Sequence, residues 1–128
     1  MFDDIFGDQN GPKADVVVGT AAQDSILGIE LGDTLSGFGG ADVVYGDTGS
    51  DRVFGGDGND TLGTSTGGDA SRYGGTGDDA ITAAGGLNTS YMEGGDDNDV
   101  ITGAAGVDTI YADAGNDTIH GNLSLRAG

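Results

Sequence analysis

Large aliphatic residues recur along this chain at intervals of nine. Val17, Ile26, Leu35, Val44, Val53 and Leu62 form one unbroken series, and Ile81, Ile101, Ile110 and Ile119 carry it on after breaks in the count. The aliphatic residue and its two neighbours point to opposite faces, which is the alternation of a very short strand with one side inward. Between successive units lie six residues, rich in glycine, that can only turn. Two turns and two strands make one coil of 18 residues, and stacked coils place two parallel sheets face to face over a narrow aliphatic core. Parallel crossovers are right-handed. The pattern therefore predicts an all-β, right-handed parallel β-roll, a two-sheet solenoid with about six strands per sheet.

The polar positions keep the same count. Asp15, Asp24, Asp33, Asp42, Asp51, Asp60 and Asp69 are nine apart, Asp79 follows after ten, and Asn88, Asp99, Asp108 and Asp117 continue the series. Each Asp in the regular copies stands two places before the aliphatic residue. The best copies read GGDGNDTLG from Gly55, GGTGDDAIT from Gly74 and GGDDNDVIT from Gly94, so the repeat is G-G-x-G-x-D-x-U-x with U aliphatic. A fixed short period of this kind is the signature of a solenoid or array. Two copies are irregular, 64–73 with ten residues and 83–93 with eleven. Counting places Arg72 or Ser71, and Met92 or Ser90, at their core positions. Burying an arginine is expensive, so the expectation is a slipped register with the guanidinium outward.

Composition then narrows the chemistry. Among 128 residues there are 22 acidic and 4 basic ones, a net charge of −18, and all the acids except Glu30 and Glu93 are Asp. Short carboxylates suit tight turns and hard, oxygen-liganded cations. The charge repels phosphate, and Lys13, Arg52, Arg72 and Arg126 form no basic stripe, so nucleic acid is excluded as a partner. Without cysteine there is no disulfide, thiolate site or cysteine nucleophile. The start, MFDDIFGDQN, has no apolar core of a signal peptide. The longest purely apolar run, Val16 to Val18, is far too short for membrane insertion.

The tandem copies over about residues 10–120 resemble the RTX (repeats-in-toxin) calcium-binding nonapeptide family. The resemblance implies Ca²⁺ as the bound ion and export from a Gram-negative bacterium to the cell surface or the medium. It also implies a role as a module within a larger host protein or multi-subunit assembly. A C-terminal export signal usual in such proteins has little room here, with seven residues after Gly121.

Electrostatics supports the ion independently. Asp residues one coil apart would lie ~5 Å from each other, where like charges repel by about 3 kcal/mol at an effective dielectric of 20. A cation between them converts repulsion into coordination, and its binding energy becomes folding energy. Successive turns alternate between the two edges of the roll. One edge carries GTAAQD, GFGGAD, GGDGND, GGTGDD, GGDDND and ADAGND, which match well towards the C-terminus; the other carries NGPKAD, GIELGD, GDTGSD, TSTGGD, AAGGLN and GAAGVD, which match poorly. The expected ligand set on the first edge is Asp42, Gly55, Asp57, Asp60, Gly74, Thr76, Asp79, Gly94, Asp96, Asp99, Asp113 and Asp117. Rungs are expected between Asp60 and Asp79, Asp79 and Asp99, and Asp99 and Asp117, with a weaker one between Asp42 and Asp60. On the other edge only Asp33 and Asp51 form a plausible pair. The alternative, that these Asp residues merely form turns, weighs more on the second edge than on the first.

Residues 1–9 are expected to cap or tether the roll through Phe2 and Phe6, and 121–128 to close it with Leu123 and Leu125. Phe54, Tyr73, Tyr91 and Tyr111 fall at outward positions of one sheet as an aromatic ladder, either cross-strand support or a docking surface for a polysaccharide or partner. Tyr45 lies on the other sheet. Catalysis finds no support: His120 is the single histidine, and pairs such as Asp78–Asp79 and Asp96–Asp97 recur at ligand spacing without a nucleophile or lid. The chain reads as a calcium-binding structural element, with a polysaccharide-binding module or a small decoration protein of a particle as alternatives.

Overall fold

The computed structural model describes residues 3–6, 13–63, 70–83 and 89–121, and these form two parallel sheets with no helix. The first sheet has seven strands: β1 (Asp3–Phe6), β3 (Asp24–Ile29), β5 (Val43–Asp47), β7 (Thr61–Leu62), β9 (Ala80–Thr82), β11 (Val100–Thr102) and β13 (Thr118–His120). The second has six: β2 (Val16–Val18), β4 (Thr34–Gly39), β6 (Arg52–Asp57), β8 (Ala70–Thr76), β10 (Ser90–Asp96) and β12 (Asp108–Ala114). Sheets alternate strictly along the chain, so each strand pairs with the strand two places on. This is the parallel β-roll that the period of nine predicts.

Between the sheets run the aliphatic residues. Ile26, Leu35, Val44, Val53, Leu62, Ile81, Met92 and Ile101 are wholly buried, and Val17, Ala83 and Ala104 join them in the cluster. Burying such side chains stabilises by about 1.5–3 kcal/mol each, and the parallel pairing fixes which residue of each strand turns inward. At the start, β1 pairs with β3 and sets Ile5 opposite Ile26, where Ile5 packs on the core. At the far end Ile119 is half exposed. Phe2, Leu123 and Leu125 lie outside the described residues.

The irregular copies contradict the expectation of an outward arginine. Val53 pairs with Arg72, Arg72 with Met92, and Met92 with Ile110, so Arg72 stands in the aliphatic row and is only 1% exposed. The physical reason is that strand phase is set by the neighbouring strands, not by counting from the last Asp. Extra residues are absorbed before β8 and β10, and alternation then sends Tyr73 out and Arg72 in. The same pairing sets Ser90 between Ala70 and Asp108, so Ala70 and Ser90 occupy the Asp place of their copies.

The aromatic row forms with one displacement. Phe54 pairs with Tyr73 and their rings stack at 4.9 Å, 9° from parallel. Glu93, rather than Tyr91, pairs with Tyr73 and Tyr111. Tyr91 reaches diagonally between them, its ring centroid 5.5 Å from that of Tyr73 and 5.7 Å from that of Tyr111, and its hydroxyl donates to Glu93 Oε2. That bond pushes the Tyr91 phenol up to about 12.

Candidate metal centre

Along the edge where the chain passes from the six-stranded to the seven-stranded sheet, Asp24, Asp42, Asp60, Asp79 and Asp99 point inward and are at most 2% exposed. Each backbone N–H donates to Oδ1 of the Asp one coil later: Asp24 to Asp42, Asp42 to Asp60 and Asp60 to Asp79 at 2.8 Å, then Asp79 to Asp99 and Asp99 to Asp117 at 2.9 Å. One carboxylate oxygen is thereby committed to holding adjacent coils in register. The other is not. Oδ2 of Asp42, Asp60, Asp79 and Asp99 is buried and has no hydrogen-bond partner among the described residues, whereas Oδ2 of Asp24 accepts from the N–H and hydroxyl of Thr20.

An unpartnered buried carboxylate oxygen is costly, and the fold registers the cost. Loss of solvation pushes Asp60 up to about 6 and Asp79 up to about 7, and raises Asp42 and Asp99 as well; neighbouring carboxylates add to this, and the backbone N–H bond works against it. Such atoms need either a proton or a cation.

The glycines of the first repeat position make the room. A Cβ on Gly55 would lie 2.6 Å from the carbonyl oxygen of Gly74 and collide with Asp60 Oδ2, and one on Gly94 would lie 2.7 Å from the carbonyl of Ala112 and collide with Asp99 Oδ2. Each bare Cα thus borders a free carboxylate oxygen and a carbonyl from the next coil. No three carboxylate or imidazole side chains cluster at one point among the described residues, as expected when carboxylates stand in single file and backbone oxygens complete the set. Hard, anionic, all-oxygen donors of this kind fit Ca²⁺. The carboxylates of Asp42, Asp60, Asp79, Asp99 and Asp117 and the carbonyls of Gly55, Gly74 and Gly94 would hold it. Bound there, the ion supplies the positive charge that lets the buried carboxylates remain ionised.

The other expected ligands stand elsewhere. The side chains of Asp57, Thr76 and Asp96 occupy one exposed row outside the turns, where the Thr76 hydroxyl donates to Asp57 Oδ1 at 3.0 Å. Asp113 is exposed and pairs with Gly95, one place earlier in the repeat. Its φ of 68° shows it filling a glycine place in the turn.

A second row on this edge escaped the sequence reading. Side-chain oxygens of Asn59, Asp78 and Asn98 accept from the backbone N–H of Asp78, Asn98 and Asn116 respectively, at 2.8–2.9 Å. This outer row runs opposite to the inner one, each side chain accepting from the coil that follows it. The signal was present as a run of Asn or Asp at the fifth repeat position, which the other edge lacks at Gly32, Ser50 and Val107.

On that other edge the inner row nevertheless begins in the same way. Asp15 N–H donates to Asp33 Oδ1 at 2.8 Å and Asp33 N–H to Asp51 Oδ1 at 2.9 Å. It then breaks at Ala70 and Ser90. In one of its turns Ile29 and Leu31 hold φ of 93° and 71°, a region that bulky side chains disfavour by about 1–2 kcal/mol each.

The comparison with known families agrees with this geometry. The RTX calcium-binding nonapeptide repeat matches in four copies, over residues 30–70 and 93–123, together more than half of the chain. No curated protein and no solved structure matches it. With buried aspartates in file, glycines that open the turns and the family's repeat over most of its length, the chain belongs to the RTX calcium-binding nonapeptide-repeat family and is a calcium-binding β-roll.

Proposed function

We propose that this β-roll is a calcium-triggered folding element that acts outside the cell as a stiff structural module of a secreted or surface protein or complex. The observation that carries the reading is the file of four buried carboxylate oxygens, on Asp42, Asp60, Asp79 and Asp99, left without a partner among the described residues. Their charge opposes folding until a cation enters, so the ion concentration decides whether the chain is ordered. Extracellular modules bind calcium at about 10⁻⁴–10⁻³ M, a range that keeps such a chain unfolded where calcium is scarce and folds it where calcium is plentiful. No catalytic role is proposed. The stacking of Phe54 on Tyr73 favours cross-strand support for the aromatic row, since rings that cover one another present less face to a sugar.

The test is far-UV circular dichroism of the EGTA-stripped chain titrated with calcium, with magnesium as control. A cooperative coil-to-β transition specific to calcium is expected. A chain already fully β-structured in EGTA would overturn the reading.

A further inference from the structure

The second edge has a cation of its own. Its inner row runs Asp15, Asp33, Asp51, then Ala70 and Ser90, then Asp108, so two successive coils lack the carboxylate that every coil of the first edge possesses. At this gap Arg72 enters the core. Its aliphatic stem takes the place of a U residue between Val53 and Met92, and its Nε donates to the carbonyl of Gly63 at 3.0 Å. Among the described residues the buried Nη1 group has no hydrogen-bond partner, and neither has Oδ1 of Asp108, whose Oδ2 accepts from Ala104 N–H. Burial lowers the guanidinium's affinity for its proton, and the charges of Asp51 and Asp108, the carboxylates bounding the gap, restore part of it.

We propose that the Arg72 guanidinium is a built-in substitute for calcium, whose charge offsets part of that on Asp51 and Asp108 across the Ala70–Ser90 gap and ends the ion row of the second edge there. The inference rests on the calcium reading above and adds which rungs take an ion and which do not. Three independent features agree on it. The two missing carboxylates remove the charge a metal ion would need, the arginine supplies a fixed charge in the same two coils, and the flanking carboxylates are of opposite sign. An arginine cannot lose its proton at any physiological pH and donates in a fixed fork. It therefore offsets that charge whether or not calcium is present.

The experiment counts ions in the whole chain. Calcium bound per chain is measured by equilibrium dialysis at saturation, and the folding midpoint by circular dichroism, for wild type and three variants. Arg72→Met keeps the bulk of the side chain and removes its charge. Arg72→Lys keeps the charge without the fork. The triple variant Ala70→Asp, Ser90→Asp, Arg72→Val restores both carboxylates and the aliphatic row. The expected result is at least one additional ion in the triple variant, no additional ion in Arg72→Met, and a calcium midpoint for Arg72→Met raised about fivefold, with Arg72→Lys in between. Should Arg72→Met fail to fold at any calcium concentration while the triple variant folds, the same conclusion follows. An unchanged ion count in a folded triple variant, or a wild-type midpoint in Arg72→Met, overturns the proposal while leaving calcium binding by the first edge intact. A wild-type chain that binds no calcium overturns both.

Discussion

The two edges of the roll share a backbone and differ in what their turns leave unfinished. On the first edge every described coil from Asp24 to Asp99 sends an aspartate inward, and from Asn59 onward a second file of Asn and Asp outside locks the turns as well. On the second edge the inner file is interrupted, the outer file is absent among the described residues, and Arg72 fills the gap. Register along a solenoid can thus be held by carboxylate-to-backbone bonds on either side, while the demand for an external cation depends on whether the second carboxylate oxygen finds a partner. Thr20 satisfies it at Asp24. Among the described residues nothing does so for Asp42, Asp60, Asp79 or Asp99.

The strongest test of that difference compares Asp79→Ala with Asp33→Ala. Each removes an acceptor from an N–H one coil earlier, buried at Asp60 and part-buried at Asp15, which costs about 1–3 kcal/mol. Asp79→Ala also removes the carboxylate common to the rungs with Asp60 and Asp99. Its calcium midpoint should rise about tenfold or more, and that of Asp33→Ala by much less. Equal shifts in a calcium titration would erase the distinction between the edges.

Acidity should act next most strongly, and with opposite signs in the two forms. In the calcium-free fold Asp60 and Asp79 sit at about 6 and about 7, above the ordinary 3.8, chiefly because burial penalises their charge. The folded chain therefore holds protons that the unfolded chain releases between pH ~4 and ~7. Stability without calcium falls as pH rises through that window and is regained on acidification. Without calcium, β-structure measured by circular dichroism should be greater at pH 5 than at pH 8. At half-saturating calcium, acidification should instead weaken binding, since protons and the ion compete for the same oxygens. A calcium affinity that stays flat between pH 5 and pH 8 would mean that carboxylates in this state are not ligands.

Smaller effects should follow from the turns. Leu31→Asn places a residue tolerant of positive φ where a half-exposed leucine holds 71°, and should stabilise the second edge by about 1 kcal/mol. Asn98→Ala takes the acceptor from Asn116 N–H in the outer file. It should cost about 0.5–1 kcal/mol, because that bond is exposed to water. Thermal unfolding in saturating calcium reads both, and no change in the second would leave the outer file without a role in stability.

Much of this was legible in the sequence because period and alternation act together. The aliphatic series from Val17 to Leu62 and the Asp series beside it fall where counting places them, and so do the buried carboxylates from Asp42 to Asp99. Counting failed where residues were added. From Asp60 a count of nine reaches Asp69, but the strand takes its phase from β6, so Ala70, ten residues on, holds that place and Arg72 the aliphatic one. A penalty for burying charge argued for an outward arginine; two inward carboxylates and a long apolar stem, invisible one repeat at a time, outweigh it. The longer coil likewise put Glu93 where Tyr91 was expected. The outer file went unseen because it mixes Asn with Asp and has no counterpart at Gln23 and Ala41 in the earlier turns of the same edge.

The opposed directions of the inner and outer files on the first edge have a mechanical consequence. Each junction there from Asn59 to Asn116 is tied by one link anchored in the coil ahead and another anchored in the coil behind. A pull along the roll axis loads both in parallel at each junction, and the junctions in series. On the second edge the inner file has no carboxylate tie at Ala70 and Ser90, so tension is expected to open the roll there before the doubly tied junctions give way.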